Sequence, residues 1–168
     1  NPDGSVTILP DDSRPLPPGY IAHYSEPCSI NNVGQAVGLT GLVDAFWFIS
    51  HYRAMLWQDG VATDLAGTNC PANGFSYAFT INDLAETAGI FAESTGYAHA
   101  CIYRDGQLLD IAGPNLQGSY ACGLNNQGDV VGFACSGGIT DFARERDVGP
   151  LGVGTPHTGT EPAYLSPW

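Results

Sequence analysis

Apolar and polar residues alternate along this chain in short runs, each interrupted by Asn, Asp or Gly. That pattern predicts strands joined by tight turns rather than amphipathic helices. Three runs share one grammar: INNVGQAVG at 30–38, INDLAETAG at 81–89 and LNNQGDVVG at 124–132. In each, an apolar residue closes a strand and Asn-rich residues supply the turn, since Asn and Gly tolerate positive φ. A second pair follows the same logic, AMLWQDGVATDLAG at 54–67 and ACIYRDGQLLDIAG at 100–113. Asp59-Gly60 and Asp105-Gly106, each between apolar runs, are hairpin signals. The resulting expectation is a set of strands at 21–30, 35–39, 54–57, 61–65, 87–91, 100–103, 107–111, 120–124 and 129–135, with another ending at Ile81. The stretch 42–52 is read as strand or helical turn, and it carries extra residues near 46–52 that the second copy lacks.

A repeat of about 40–50 residues built from four short strands is the range of β-propeller blades. The fold expected is therefore all-β, with about three propeller-like units of antiparallel strands in a single domain. The divisions are 1–29 (a closing strand, a Pro-rich loop and a first strand), 30–80, 81–123 and 124–168. The third unit reads as degenerate. Gly137 to Thr160 looks like a Gly- and Pro-rich loop, and Ala163-Tyr164-Leu165 matches Ala54-Met55-Leu56 with no Asp-Gly after it. The missing turn and fourth strand stand at the other end of the chain, as PDGSVTILP at 2–10. The last unit is thus expected to be completed by the N-terminal strand or by a neighbouring chain.

Composition narrows the partners. The 168 residues carry a formal charge of −12 and contain no Lys. Binding a polyanion requires cations to replace condensed counterions, so nucleic acid is not an expected ligand. An anionic membrane surface is disfavoured for the same reason, and no apolar run has the length of a span. The chain begins at Asn1 rather than Met, which suggests a processed or trimmed form. Cys28, Cys70, Cys101, Cys122 and Cys135 show neither a CxxC pair nor zinc spacing. Two disulfides with one thiol left over would suit an oxidising compartment. Burial is the alternative for Cys28, Cys101 and Cys122, because they occupy repeated positions that resemble core sites.

At these repeats the sequence resembles the HAF family of extracellular repeats, whose pattern runs IN-x-x-G-x-x-V-G, then H-A-F-L-W-x-x-G, then D-L-G. The first part is seen in INNVGQAVG, INDLAETAG and LNNQGDVVG, the second in RAMLWQDG and HACIYRDG, and the third in DLAG and DIAG. Only His99 keeps the histidine. The resemblance implies a secreted or surface-exposed bacterial or archaeal protein of propeller-like fold, and it implies no particular chemistry.

Candidate chemistry is sparse. Asp64 and Asp110 are repeat-equivalent, as are Asp59 and Asp105. Paired carboxylates serve acid–base or glycosidase chemistry only when they converge on one substrate, and Asp in Asp-Gly is ordinary turn chemistry. The turn residues Asn31, Asn32, Asn82, Asp83, Asn125, Asn126 and Asp129 could offer oxygens to Ca²⁺, without forming an EF-hand loop. No cofactor is otherwise expected. His23, His51, His99 and His157 are scattered, and neither a nucleophile elbow nor a phosphate-binding loop is present. Trp57, Tyr97 and Tyr103 are expected to pack in the core. Trp47, Phe48, His51 and Tyr52 lie in or beside the inserted stretch and form the candidate binding set, for sugar or for a partner protein. The functional expectation is a non-enzymatic secreted or surface module that polymerises or oligomerises through β-strand contacts. The alternatives are a lectin-like propeller that binds glycan or protein, and, less favoured, a carboxylate-based extracellular hydrolase.

Overall fold

The structure, a computed structural model, describes residues 6–67, 74–92, 96–112, 118–136 and 139–145. Among these residues it is all-β, with three antiparallel sheets in chain order. The first contains β1 (Tyr20–Ile30), β2 (Ala36–Asp44), β3 (Ile49–Gln58) and β4 (Val61–Asp64). The second contains β5 (Phe75–Ile81), β6 (Thr87–Ala92), β7 (His99–Arg104) and β8 (Gln107–Asp110). The third contains β9 (Gly118–Leu124), β10 (Val130–Ser136) and β11 (Ile139–Glu145). Strand order within each sheet follows chain order, as successive hairpins require. Pro27 is tolerated because β1 is an edge strand.

The two Asp-Gly turns form as expected. Asp59 and Gly60 have φ of 50° and 75°, and Asp105 and Gly106 have 52° and 73°, as a type I′ hairpin turn demands. The three Asn turns use the left-handed conformation at Gly34, Ala85 and Gly128. The glycine that ends each copy of the grammar has a different reason for being there. A Cβ on Gly38, Gly89 or Gly132 would sit 2.0, 1.9 or 1.8 Å from the carbonyl oxygen of Glu26, Tyr77 or Tyr120. At that point each first strand carries a bulge, and the bare glycine opposite lets the two backbones close in.

The bulge corrects one expectation. Cys28 and Cys122 are the bulged residues, and the extra residue turns their side chains outward, so both are exposed thiols rather than core residues. Neither Cys28 nor Cys122 is in a disulfide. Cys101 is fully buried, in line with the burial alternative. Cys70 and the side chain of Cys135 lie outside the described residues.

Two further expectations change. The second half of the third unit is not only loop, because β11 pairs along β10 from Val130↔Glu145 to Ser136↔Ile139. By register β11 takes the third-strand place that Ala163–Leu165 was expected to fill; those three residues lie outside the described set. Residues 6–10 form no strand on the third sheet. They run over the outer face of the first sheet instead, where Leu9 packs on Ala36, Met55 and Trp57, and Trp57 Nε1 donates to Pro10 O at 3.0 Å. Asp12 is buried there and receives Arg14 Nε at 2.9 Å, while Arg14 Nη1 reaches Asp64 on β4 at 2.9 Å. Burial opposes the Asp12 carboxylate, but the Arg14 contacts outweigh it and hold its pKa below the ordinary value.

The core lies between successive sheets. Val37, Ala54 and Leu56 of the first sheet meet Ala78, Cys101 and Tyr103 of the second. Their repeat-equivalents Ala88, Ala100 and Ile102 meet Ala121 and Val130 of the third. The second sheet thus shows one face to the first and the other to the third, as stacked repeats do.

Candidate functional site

The most organised polar feature is the line of three Asn turns that ties the sheets together. Asn31 Oδ1 accepts from Val33 N and Gln35 N, and its Nδ2 donates to Gln35 Oε1 at 2.6 Å and to Asn82 O at 2.9 Å. Asn82 repeats the arrangement: Oδ1 accepts from Leu84 N and Glu86 N, and Nδ2 donates to Glu86 Oε2 at 2.7 Å and to Asn125 O at 3.0 Å. Asn125 Oδ1 accepts from Gln127 N and Asp129 N, and its Nδ2 donates to Asp129 Oδ2. One side chain therefore folds its own turn and grips the carbonyl of the next. Asn is suited to this because it carries an acceptor and two donors.

Asp83 bridges all three turns. Its carboxylate accepts from Asn32 N and Nδ2, each at 2.9 Å, and from Asn126 Nδ2 at 3.0 Å, while its own N–H donates to Asn126 Oδ1. Bonds from Asn32 and then Asn126 to the ionised form lower the Asp83 pKa. The three turns line a shallow, open depression of about 380 Å³. Of the oxygens offered for Ca²⁺, Oδ1 of Asn31, Asn82, Asn125 and Asn126, the Asp83 carboxylate and Asp129 Oδ2 accept from N–H donors here. Among the described residues no group of three or more His, Cys, Asp or Glu is placed to hold a metal.

A second set of links is buried. Ala54 N donates to Ser76 Oγ at 2.9 Å and Ala100 N to Ser119 Oγ at 2.8 Å, joining the third strand of one unit to the first strand of the next. Ser76 and Ser119 are 0% and 2% exposed. Sequence reasoning missed both, although Ser-Tyr-Ala stands at 76–78 and again at 119–121.

The inserted aromatics form a different feature at the tip of the β2–β3 hairpin. Asp44 Oδ1 accepts from Phe46 N and Phe48 N, and Trp47 takes a φ of 64° to complete the turn. Trp47 and Phe48 are 77% and 71% exposed, and Phe46, which was not singled out from sequence, is 80% exposed. His51 is exposed lower on the same hairpin, with Nδ1 3.0 Å from Tyr20 OH. Tyr52 does not join them. It is half-buried and stacks on Tyr77 of the second sheet at 5.1 Å. Trp57 and Tyr103 are core residues as expected, whereas Tyr97 is exposed.

The carboxylates have local duties. Asp64 Oδ1 accepts from Ala66 N and Gly67 N, and Asp110 Oδ1 from Ala112 N, so each closes the turn after its own fourth strand. Asp110 Oδ2 also lies 2.9 Å from His99 Nδ1. Asp59 and Asp105 are the left-handed residues of the hairpins. Among the described residues no helix is long and apolar enough to cross a membrane. Searches against protein-family models, curated proteins and solved structures each returned no match.

Proposed function

We propose that this chain is a non-enzymatic assembly module, secreted or displayed at a cell surface, which associates with copies of itself through its sheets. The observation that carries this reading is the state of the face on which the row of sheets ends. Val131 occupies on the third sheet the place that Val37 and Ala88 occupy on the first two. Both of those are fully buried against the following unit, yet Val131 is 48% exposed. A face that is covered on the first two sheets is half open at Val131, and open-ended repeat arrays propagate or close by adding the next unit. The propeller-like ring expected from the repeat period is one closed form of such an assembly. The HAF-like repeats support an extracellular setting.

Val131→Asp tests the reading without disturbing the packed junctions, since the residue is already half exposed. Rings or fibres of the unaltered chain in negative-stain electron micrographs, lost in Val131→Asp, are the expected outcome. Assemblies that persist unchanged in that variant would refute the role given to this face.

The exposed Phe46, Trp47 and Phe48 favour a second reading, in which the hairpin tip binds a glycan by ring stacking or a protein by apolar contact. A glycan array bound by the unaltered chain and lost in Trp47→Ala would support the sugar form. A blank array would remove it.

A further inference from the structure

The two ends of the row of sheets are chemically complementary. Ser25 is the repeat-equivalent of Ser76 and Ser119, lying five residues before Ile30 as they lie before Ile81 and Leu124. Their hydroxyls accept the N–H of Ala54 and Ala100 from the preceding unit. Ser25 Oγ is sealed from solvent and has no hydrogen-bond partner among the described residues. A buried hydroxyl left unpaired is costly, so the site calls for an N–H from a third strand that precedes the first sheet. The register names a candidate. Phe142 stands opposite Phe133 on β10 as Ala54 stands opposite Leu39 and Ala100 opposite Ile90, so the Phe142 N–H holds the place of the two donors.

The N-terminal segment carries the matching half. Aligning Asp3-Gly4 with the two later Asp-Gly pairs places Val6 at the positions of Ala62 and Leu108, and Leu9 at those of Leu65 and Ile111. Packing agrees with this alignment. Leu9 lies on Met55 and Trp57 of the first sheet, and Leu65 packs with their equivalents Cys101 and Tyr103 in the core of the second. Residues 6–9 therefore sit where the fourth strand of a preceding unit would end, and the described residues include no other strand of such a unit. Val6 and Ile8 are 88% and 90% exposed. The third sheet shows the converse. Among the described residues it has three strands, and β11 is its edge, where β4 and β8 complete the others. Residues 146–168 contain no Asp-Gly pair.

We infer that Val6–Leu9 of one copy add as the fourth strand to the outer edge of β11 in a second copy. This rests on the assembly reading and specifies its contact. The exchange is head to tail, and main-chain pairing at an open sheet edge supplies the recognition. In that arrangement the second copy's third sheet becomes the unit that precedes the first sheet. Its Phe142 N–H meets the orphaned Ser25 hydroxyl, and its Asn125 Nδ2 meets the Asn31 carbonyl, as Asn31 and Asn82 meet the next turn within the chain. Within one chain the second sheet stands between the first and the third, which favours the second copy as the source of the edge.

The test is a cysteine pair placed by register. Ala62 pairs with Trp57 and Leu108 with Tyr103, and Glu145 holds the place of those two aromatic residues, so Val6 is set opposite Glu145. Chains carrying Val6→Cys and Glu145→Cys, one half isotopically labelled, are mixed, oxidised and mapped by mass spectrometry. A 6–145 disulfide that joins labelled to unlabelled chains is the expected result. The same disulfide confined to single chains overturns the proposal in favour of closure within one molecule. Multimers without the link overturn the strand exchange while leaving assembly standing, and a monomer without the link overturns both. In the unaltered chain, amide exchange of residues 6–9 should slow as concentration rises; rates that do not change with concentration contradict the proposal.

Discussion

Replacing Asn82 by alanine probes the junction between units most sharply. Asn82 is 4% exposed, and its side chain makes four hydrogen bonds of 2.7–3.0 Å, two within its own turn to backbone N–H groups, one to Glu86 and one to the carbonyl of Asn125. At about 1 kcal/mol net for each bond, the loss comes to about 4 kcal/mol. That is a large share of the 5–15 kcal/mol that holds a typical domain together. Asn32→Ala is the internal control. Asn32 is exposed, and alanine there removes the side-chain bond to Asp83 while sparing the backbone N–H bond to the same carboxylate. Its cost should be about 1 kcal/mol or less. Urea unfolding followed by far-ultraviolet circular dichroism measures both, with the slope checked for a change in cooperativity. The reasoning is refuted if the two variants lose the same stability, because the buried Asn would then be a turn residue like any other. Asn82→Asp adds a second check. It keeps the acceptor for the two N–H groups but sets a carboxylate beside Glu86. Like charge and burial raise its folded-state pKa above the unfolded value, so its penalty should shrink as pH falls through that raised value.

Other predictions address separate parts of the fold. Gly132→Ala would place a Cβ 1.8 Å from Tyr120 O, and a loss of about 3 kcal/mol or more in the same unfolding assay is expected. Ala85 holds the left-handed conformation that glycine holds in the other two turns, with φ at 63°, so Ala85→Gly should raise stability by about 0.5–1 kcal/mol. Asp83 has a lowered pKa through its bonds to Asn32 and Asn126. Its contribution is present above the ordinary carboxylate value and is lost as pH falls through the lowered one. An acid titration should therefore loosen the junctions below about pH 4, and Asp83→Asn should flatten that part of the profile.

Much of the fold was legible in the sequence because turn chemistry is local. Asp59-Gly60 and Asp105-Gly106 announce left-handed turns wherever they stand, and the Asn-rich turns recur with the same spacing on either side. What was not legible depends on a partner strand. Burial was one of two readings for Cys28 and Cys122, from their repeated positions, but a one-residue bulge reverses the face, and nothing in a single strand reveals a bulge. The last glycine of each copy repeats visibly, yet its reason is a carbonyl on the neighbouring strand. β11 was hidden because the third unit lacks the Trp and Asp-Gly landmarks of the others, although Gly137-Gly138 between two runs was a usable hairpin signal. In the candidate site, the exposure of Trp47 and Phe48 followed from their place in an insertion. Ser76 and Ser119 were overlooked because a serine in a strand shows no preference until its acceptor role across a junction is seen.

The central claim is that the chain is one segment of a larger self-made array. The most direct measurement is its mass by sedimentation equilibrium across a range of concentrations. The account predicts species above the 17.6 kDa of one chain that grow with concentration and revert in Val131→Asp. A mass that stays at 17.6 kDa at every concentration would contradict it.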